Sequence, residues 1–184
     1  MNLNKPNKIL ITGVNGFVGS RLAEKLLENK IHVIGLCRNL EQITLLEKKG
    51  VNCIKGDILN TDEFENEIPE FDILVHTASW SGGSNITREL AWKTNVDGTA
   101  NMLTLAKKNR VKKFVYISSI AVYGMNDNLL IDEASDTSFI NELYTDSKIA
   151  AENLVKNSGI PYVIIRPGCI YGPRGEDWTI GVIK

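Results

Sequence analysis

Short apolar segments alternate with stretches of helical periodicity along the whole chain. The first apolar segment, 8–12, is followed by apolar residues at helical spacing between Phe17 and Leu27. The pattern predicts six strands, at 8–12, 32–36, 51–54, 72–76, 113–118 and 161–166. It predicts further helices at 40–49, 62–67, 88–109 and 144–157.

The predicted strands are almost continuously apolar rather than alternating. Such strands, separated by helices, are typical of a parallel sheet covered by helices on both faces. The predicted fold is therefore a doubly wound α/β sheet of the Rossmann type, with three layers. Ligands of such sheets bind beyond the carboxyl ends of the strands, so the residues that follow each strand are the candidates for chemistry.

Composition adds mainly exclusions. The chain has 184 residues, 43% of them hydrophobic, and a formal net charge of −1. No apolar run reaches the roughly 18 residues of a membrane span, and no signal peptide is recognisable, so a cytoplasmic location is expected. A net charge near zero argues against a nucleic-acid or membrane partner and leaves a small-molecule substrate. Three scattered cysteines, Cys37, Cys53 and Cys169, predict free thiols, and no metal site is expected.

Three glycines spaced three apart, Gly13, Gly16 and Gly19, lead from the first predicted strand into a helix. Glycine permits a positive φ and a close approach of the backbone to a pyrophosphate, and the N-terminus of the helix offers N–H groups to phosphates. The same spacing occurs in ordinary tight turns. Its place between a strand and an amphipathic helix favours a dinucleotide site.

The residues after the second and third strands bear on which dinucleotide binds. An acid after the second strand binds a ribose 2′-hydroxyl, whereas an arginine pairs with a 2′-phosphate. The sequence has Cys37-Arg38 there, which favours NADP, with NAD as the alternative and an exposed, unligated Arg38 as the plain interpretation. Asp57 is a candidate acceptor for the adenine amino group, or simply an acidic residue that begins the next helix.

Tyr144 and Lys148 lie four apart and therefore share one face of a predicted helix. A tyrosine has a free pKa near 10, so it needs a neighbouring cation to act as a base at neutral pH. Lys148, with a cationic nicotinamide ring, is expected to lower the pKa of Tyr144. Ser118 and Ser119 end the fifth strand and offer a hydroxyl to the same substrate oxygen. Each pattern alone also fits a solvated lysine or a turn serine.

The motifs together resemble the extended short-chain dehydrogenase/reductase superfamily, in its NAD(P)-dependent epimerase/dehydratase group, over essentially the whole chain. The matching segments are 12–19, 56–57, 76–78, 95–99, 118–124, 144–148 and 166–173. The resemblance implies an oxidoreductase or epimerase that transfers a hydride between NAD(P) and a secondary alcohol or ketone, such as a sugar or nucleotide sugar. A non-catalytic dinucleotide-binding module or inactive fragment is the alternative.

The resemblance also implies a catalytic set of Ser119, Tyr144 and Lys148. Ser119 is preferred because the family's hydroxyl residue lies four before the tyrosine of Val-Tyr-Gly, here Tyr123. Tyr144 is the expected general acid/base, Ser119 orients the substrate oxygen, and Lys148 tunes Tyr144 and binds the nicotinamide ribose. The expected cofactor contacts are Gly13, Asn15, Gly16, Phe17, Val18, Gly19, Arg38, Asp57, Ile58, Thr77, Ala78, Asn95, Tyr144, Lys148 and Pro167.

Four of these residues have roles that only the resemblance suggests. Thr77 and Ala78 are expected to line the cofactor near its ribose and ring, and Pro167 to lie against the nicotinamide carboxamide. Asn95 matches a helix asparagine that supports either the proton path or local packing.

The chain also departs from the family. Members that eliminate water carry Asp-Glu after the catalytic hydroxyl residue, where this chain has Ile120-Ala121. Many nucleotide-sugar epimerases hold their substrate with an asparagine at the position of Cys169. Family members usually continue for more than a hundred residues, so we expect residues 1–184 to be a dinucleotide-binding domain whose substrate lobe is missing or truncated after about residue 173.

Two tryptophans and two helices complete the expectations. The loop 79–85 is expected to border the substrate, with Trp80 as a candidate to stack on a ligand. Trp92 is expected to pack in the core. A homodimer paired through the helices 88–109 and 144–157 is plausible by analogy with relatives.

Overall fold

Six parallel strands form a single sheet in the computed structural model, which describes residues 8–39, 44–82, 86–124, 130–173 and 175. The strands are β1 (Lys8–Thr12), β2 (His32–Cys37), β3 (Asn52–Lys55), β4 (Ile73–His76), β5 (Lys113–Ile117) and β6 (Tyr162–Ile165). Their order across the sheet is β3-β2-β1-β4-β5-β6. The doubly wound parallel α/β fold predicted from the alternation is confirmed.

The helices cover both faces of this sheet. They are α1 (Phe17–Glu28), α2 (Thr44–Lys48), α3 (Arg88–Asn95), α4 (Asp97–Lys108) and α5 (Leu143–Lys156). Side chains of a strand alternate between the two faces, so Leu10 belongs to the core beneath α4 and α5, and Ile9 and Ile11 to the core beneath α1 and α2. The result is a three-layer molecule whose strand ends all open at one edge.

The predicted helix 88–109 is divided in two by Val96. The Thr99 hydroxyl donates to the Asn95 carbonyl oxygen at 2.6 Å, a bond that bends helices because it competes with the regular backbone bond. The predicted helix 62–67 is instead two 3₁₀ turns, Thr61–Glu63 and Glu65–Glu67. Phe64 between them leaves the helical conformation, at φ −136°, and its side chain is buried. Of the predicted helix 40–49, residues 40–43 lie outside the described residues.

Trp92 does not pack in the core as predicted. It is 37% exposed, because α3 turns Ala91 and Asn95 inward and Trp92 lies on another side of the helix. The three cysteines are free thiols, as expected. In the part of the chain that the structure describes, no helix has the length and apolar character needed to cross a bilayer.

Candidate active site

A cavity of about 1330 Å³ opens where the strands end. Its walls come from the segments after β1, β4, β5 and β6 and from the start of α5. The predicted residues that border it are Gly13, Asn15, Gly16, Phe17, Val18, Gly19, Thr77, Ser119, Tyr144, Lys148 and Pro167. The structure therefore brings the glycine turn and the three candidate catalytic side chains to one cavity.

The glycine turn after β1 is packed too closely for side chains. Gly13 has a φ of +65°, and a Cβ there would lie 2.9 Å from the Ala78 Cα. A Cβ on Gly19 would overlap the Gly13 carbonyl oxygen. Ala78 thus supports the turn from behind and, unlike Thr77, does not border the cavity.

The N-terminus of α1 faces the cavity without a side-chain cap. Its N-cap residue is Gly16, and its first turn carries no acid. The first N–H groups of a helix have no partner within the helix, and they give that end a partial positive charge. Since Gly16, Phe17, Val18 and Gly19 all border the cavity, this wall suits an anion such as a pyrophosphate.

A buried network holds the end of β4 against β1. The Thr77 hydroxyl donates to the Thr12 carbonyl oxygen at 2.6 Å, and the Ala78 N–H donates to Thr12 Oγ1 at 3.2 Å. Thr12 Oγ1 also lies 2.7 Å from His76 Nδ1, and His76 Nε2 lies 3.2 Å from Thr99 Oγ1. Because the Thr99 hydroxyl donates to another group, it accepts from Nε2–H, which leaves Nδ1 to accept from Thr12. Burial lowers the pKa of His76 to about 3, so the ring is neutral.

Ser118 and Ser119 follow β5, and both border the cavity. Ser119 Oγ accepts the Ala121 N–H at 3.2 Å and so caps the 3₁₀ turn Ile120–Tyr123. A hydrogen bond from Ser119 also acts on the Tyr144 phenol and opposes the rise in its pKa. The Ser118 hydroxyl is buried and acts instead on the Glu152 carboxylate, whose pKa it helps to lower. This geometry favours Ser119 over Ser118, as the motif spacing did.

Tyr144 lies in the first turn of α5, and the protein's own groups raise its pKa, so the expected fall, which requires Lys148 together with a cationic nicotinamide ring, stays a prediction. The Glu142 carboxylate caps the helix by accepting the N–H groups of Tyr144 at 3.0 Å and Thr145 at 2.7 Å. Burial raises the pKa of Tyr144 above its ordinary value, the Ser119 hydrogen bond lowers it, and the nearby Glu142 charge raises it again. Lys148 has no resolved effect on it. The protein's own groups therefore keep the phenol protonated.

Lys148 is almost completely buried, at 2% exposure, although it borders the cavity. Its Nζ donates to the Ile117 carbonyl oxygen at 2.7 Å and to Ser79 Oγ at 3.4 Å. Burial lowers the pKa of Lys148 to about 7, and the charge of Glu152 partly offsets this fall. The side chain can therefore bind or release a proton near neutral pH.

Asn95 lies outside the cavity wall and connects two of its segments. Its Oδ1 accepts the Trp80 N–H at 2.7 Å and the Ser79 hydroxyl at 3.0 Å. Its Nδ2 donates to the Trp80 carbonyl oxygen at 3.0 Å and to Ser147 Oγ at 2.8 Å. These four bonds favour the packing alternative for Asn95. Sequence reasoning missed Ser147 and named Ser79 only as part of the substrate loop, because only the fold brings the two serines to Asn95.

Three predicted cofactor residues, Arg38, Asp57 and Ile58, do not border the cavity. Arg38 is exposed at the end of β2. Asp57 Oδ1 accepts the Leu59 N–H at 3.0 Å, so one carboxylate oxygen serves a local turn, which is the plain alternative for this residue. The Ile58 side chain is buried in the core and packs where Gly98 leaves room on α4.

The departures from the family pattern also lie on the cavity wall. Ile120, Ala121 and Cys169 all border it, as do Ser79 and Ser81 of the predicted substrate loop. Residues 83–85 of that loop lie outside the described residues. Among the described residues, no group of three or more His, Cys, Asp or Glu side chains could hold a metal ion.

Arg166, the arginine of the motif segment 166–173, does not border the cavity but holds together the elements beneath it. Arg166 donates to both oxygens of the buried Glu152, from Nε at 2.9 Å and from Nη2 at 2.7 Å. Its Nη1 donates to the Tyr123 hydroxyl at 2.8 Å. The end of β6, the helix α5 and the turn after β5 are thereby held together.

Comparisons with known proteins agree with this geometry. A sequence model of the NAD dependent epimerase/dehydratase family matches residues 9–182. The chain is 33% identical to the dTDP-D-glucose 4,6-dehydratase of Dictyostelium discoideum, over 91% of this chain and 44% of that protein. It is 32% identical to the 3-beta-hydroxysteroid dehydrogenase of Mycolicibacterium neoaurum, over 92% of this chain and 49% of that protein.

A solved structure shows the same likeness. The UDP-glucuronic acid 4-epimerase of Bacillus cereus, in complex with NAD, superposes with a TM-score of 0.79 at 31% identity, over 91% of this chain and 58% of that one. The chain spans about half the length of the curated relatives it matches. Because the family match covers nearly all of the sequence and the fold agrees, this chain belongs to the NAD dependent epimerase/dehydratase family.

Proposed function

We propose that this chain binds a nicotinamide dinucleotide against its glycine turn and transfers a hydride at a secondary alcohol or ketone, as an oxidoreductase or epimerase. One observation carries the proposal. A phenol, an ammonium and a strand-end hydroxyl border the same cavity as an uncapped helix N-terminus and the glycine turn before it. The NAD complex of the Bacillus cereus relative supports the same ligand class.

The residues present fit such a cofactor. A Cβ at Gly13 or Gly19 would fill the space that the turn leaves, and the N–H groups at the start of α1 would hold the pyrophosphate. Thr77 and Lys148 would hold the nicotinamide ribose, and Pro167 would lie beside the ring. When bound, the nicotinamide supplies or accepts the hydride at its C4.

The three catalytic side chains have distinct roles in this proposal. Tyr144 keeps its proton in the protein, because burial raises its pKa, and donates it to the substrate oxygen in the direction of reduction. Ser119, whose hydroxyl lowers the pKa of the phenol, would hydrogen-bond the same substrate oxygen and orient it. Lys148 supplies positive charge beside them, and its pKa of about 7 makes that charge sensitive to pH.

The wall beyond Ser119 argues against water elimination. Ile120 and Ala121 border the cavity and carry no acid or base, whereas the family's dehydratases have Asp-Glu at these positions. Elimination by that route needs both groups. We therefore propose hydride transfer without dehydration. Cys169, also on the wall, stands where many nucleotide-sugar epimerases have a substrate-binding asparagine. We therefore propose a secondary alcohol or ketone as substrate and do not restrict it to nucleotide sugars.

An inactive dinucleotide-binding module is the second candidate, because the chain spans about half of its relatives' length. In our proposal residues up to about 173 form the dinucleotide-binding domain, and a further lobe closes the substrate side of the cavity. Cofactor titration combined with turnover on a panel of sugar and steroid alcohols separates the two functions. Hydride transfer to any of these supports the enzyme, and binding without turnover across the panel supports the module.

We propose that the chain binds NADP more tightly than NAD, because the exposed Arg38 follows β2 and the residues on either side of it, Cys37 and Asn39, are not acidic. Arg38→Ala should weaken NADPH binding at least about tenfold and leave NADH binding unchanged, because only NADPH has a 2′-phosphate. Titration by fluorescence measures both constants. Arg110→Ala, another exposed arginine, is the control. Equal losses for the two cofactors would dismiss the phosphate contact.

A further inference from the structure

The ammonium of Lys148 lies over the face of a buried aromatic ring. Its Nζ is 4.4 Å from the centroid of Tyr116, a β5 residue that is 1% exposed. We propose that the ring of Tyr116 is a positioning element that holds the Lys148 ammonium at the cavity wall and keeps it charged. The use of that ammonium in catalysis rests on the proposed function, but the contact itself does not.

Within the described ranges, no carboxylate pairs with Lys148 to hold its ammonium in place. None of the ion pairs among the described residues includes it. Glu152, one helical turn further along α5, pairs with Arg166 at 2.7 Å and with Lys156 at 3.3 Å. A buried ammonium without an ion pair is costly and needs other favourable contacts. Those contacts are the ring face, the Ile117 carbonyl oxygen at 2.7 Å and Ser79 Oγ at 3.4 Å.

Tyr116 is held in this orientation from its other neighbours. It pairs in register with His76 of β4, and the two rings stack with their centroids 5.9 Å apart and an interplanar angle of 27°. His76 is neutral, so it does not repel the ammonium across the ring. The Thr99 hydroxyl acts on the buried Tyr116 hydroxyl, whereas the Lys148 ammonium lies over the ring face. The ring, rather than the hydroxyl, is therefore the part of Tyr116 that Lys148 contacts.

The groups that face Lys148 set the direction of the expected effect. They are Tyr116 on β5, His76 on β4, Glu152 on α5 and the neutral Ser79 after β4, and Tyr144 on α5 acts on Tyr116. Burial lowers the pKa of Lys148, and the Glu152 charge raises it. A ring with less negative charge on its face stabilises the ammonium less, so the pKa of Lys148 falls further.

A fluorination series at position 116 tests the ring without changing its shape. Phenylalanine, 3,5-difluorophenylalanine and 3,4,5-trifluorophenylalanine are placed there by stop-codon suppression, and Lys148 is titrated through the ¹³Cε signal of labelled lysine. Lys148→Met identifies the signal. Tyr116→Phe should titrate as the wild type does. From phenylalanine to the trifluoro ring, the midpoint should fall by about one pH unit, a tenfold change in proton affinity.

Phe114 provides the matched control. It lies on the same strand, is buried in the same core cluster, and no cation lies over its ring among the described residues. The trifluoro ring at position 114 should leave the Lys148 midpoint unchanged. A flat series at position 116, or an equal slope at 114, would overturn the proposal. If the trifluoro protein does not fold, the difluoro step still decides the slope.

The readout uses the protein without cofactor or substrate, so it is independent of the proposed function. A chain that shows the slope but transfers no hydride has the contact and lacks the activity. A chain that transfers hydride but shows no slope has the activity and holds Lys148 by its other contacts alone.

Discussion

The two walls of the cavity are built in different ways. The wall after β1 is made of backbone, with the glycine turn and the uncapped start of α1, and the residues that form it carry no titratable side chain. The wall from β5 and α5 is made of side chains, and burial shifts the pKa of both Tyr144 and Lys148. Backbone can fix a shape and a dipole, but proton transfer needs a side chain in a chosen environment.

Tyr144→Phe should have the largest effect on turnover and should change only the cavity wall that comes from β5 and α5. Turnover should fall about 10³-fold, because the proton donor to the substrate oxygen is removed while the ring remains. The dissociation constant of the dinucleotide should stay near that of the wild type. Steady-state kinetics and a binding titration measure the two quantities, with the exposed Tyr171→Phe as the control. Equal losses of turnover and binding would refute the assigned role.

Gly13→Ala should damage the backbone wall. The new Cβ meets the Ala78 backbone and the φ of +65° strains any other residue, so we expect a loss of about 3 kcal/mol in unfolding free energy. Dinucleotide binding should weaken as well. Gly159→Ala separates the two causes, since Gly159 has a φ of +75° and nothing within 4 Å of a Cβ. If both variants lose the same unfolding free energy in urea titrations, the close approach to Ala78 does not contribute to the loss at Gly13.

Asn95→Ala tests the connection between the segment after β4 and the helix α5. The variant leaves the buried partners of Asn95 without their bonds, which should cost about 2 kcal/mol of unfolding free energy. Asn101→Ala is the control, because the Asn101 side chain donates one bond among the described residues, to the Ile58 carbonyl oxygen at 2.9 Å. Urea unfolding of the two variants gives the comparison. A smaller loss for Asn95→Ala than for Asn101→Ala would contradict the linking role.

Lys148→Met should have the smallest effect, and its sign depends on pH. The unfolded chain keeps the Lys148 proton up to its ordinary pKa of 10.5, whereas the folded protein releases it near pH 7. Between these values the unfolded chain binds more protons, so wild-type stability rises with pH. At pH 7 the variant should be about 1 kcal/mol more stable than the wild type, since no buried charge remains.

This gain should shrink as the pH is raised from 7 towards 9. Thermal unfolding at several pH values measures it, with the exposed Lys156→Met as a control that removes a charge from the same helix. A difference that stays constant with pH would mean that Lys148 does not titrate in this range.

The features that the sequence predicted correctly depend on residues that are close together in the chain. The strands, the glycine turn, and the shared helix face of Tyr144 and Lys148 follow from short-range patterns, and all are present in the structure. Family membership also followed from ordered motifs. The break at Val96 was not predictable, because it accompanies a side-chain bond that no periodicity records.

What depends on distant parts of the chain was missed or wrong. The pKa of Tyr144 is governed by its burial, which the spacing to Lys148 does not reveal. Trp92 was expected inside, since a large apolar side chain usually is, but the packing of α3 leaves it at the surface. The contact of Lys148 with Tyr116 joins residues 32 positions apart and needs the fold to form.

The turn that follows Ser119 has a practical consequence for redesign. Ile120 is 51% exposed, and both it and Ala121 face the cavity from a short 3₁₀ turn rather than from the core of the sheet. The side chains at these two positions can therefore be replaced, for instance by an acid pair, with little change in the unfolding free energy of the sheet and its helices. New specificity is best sought in this turn.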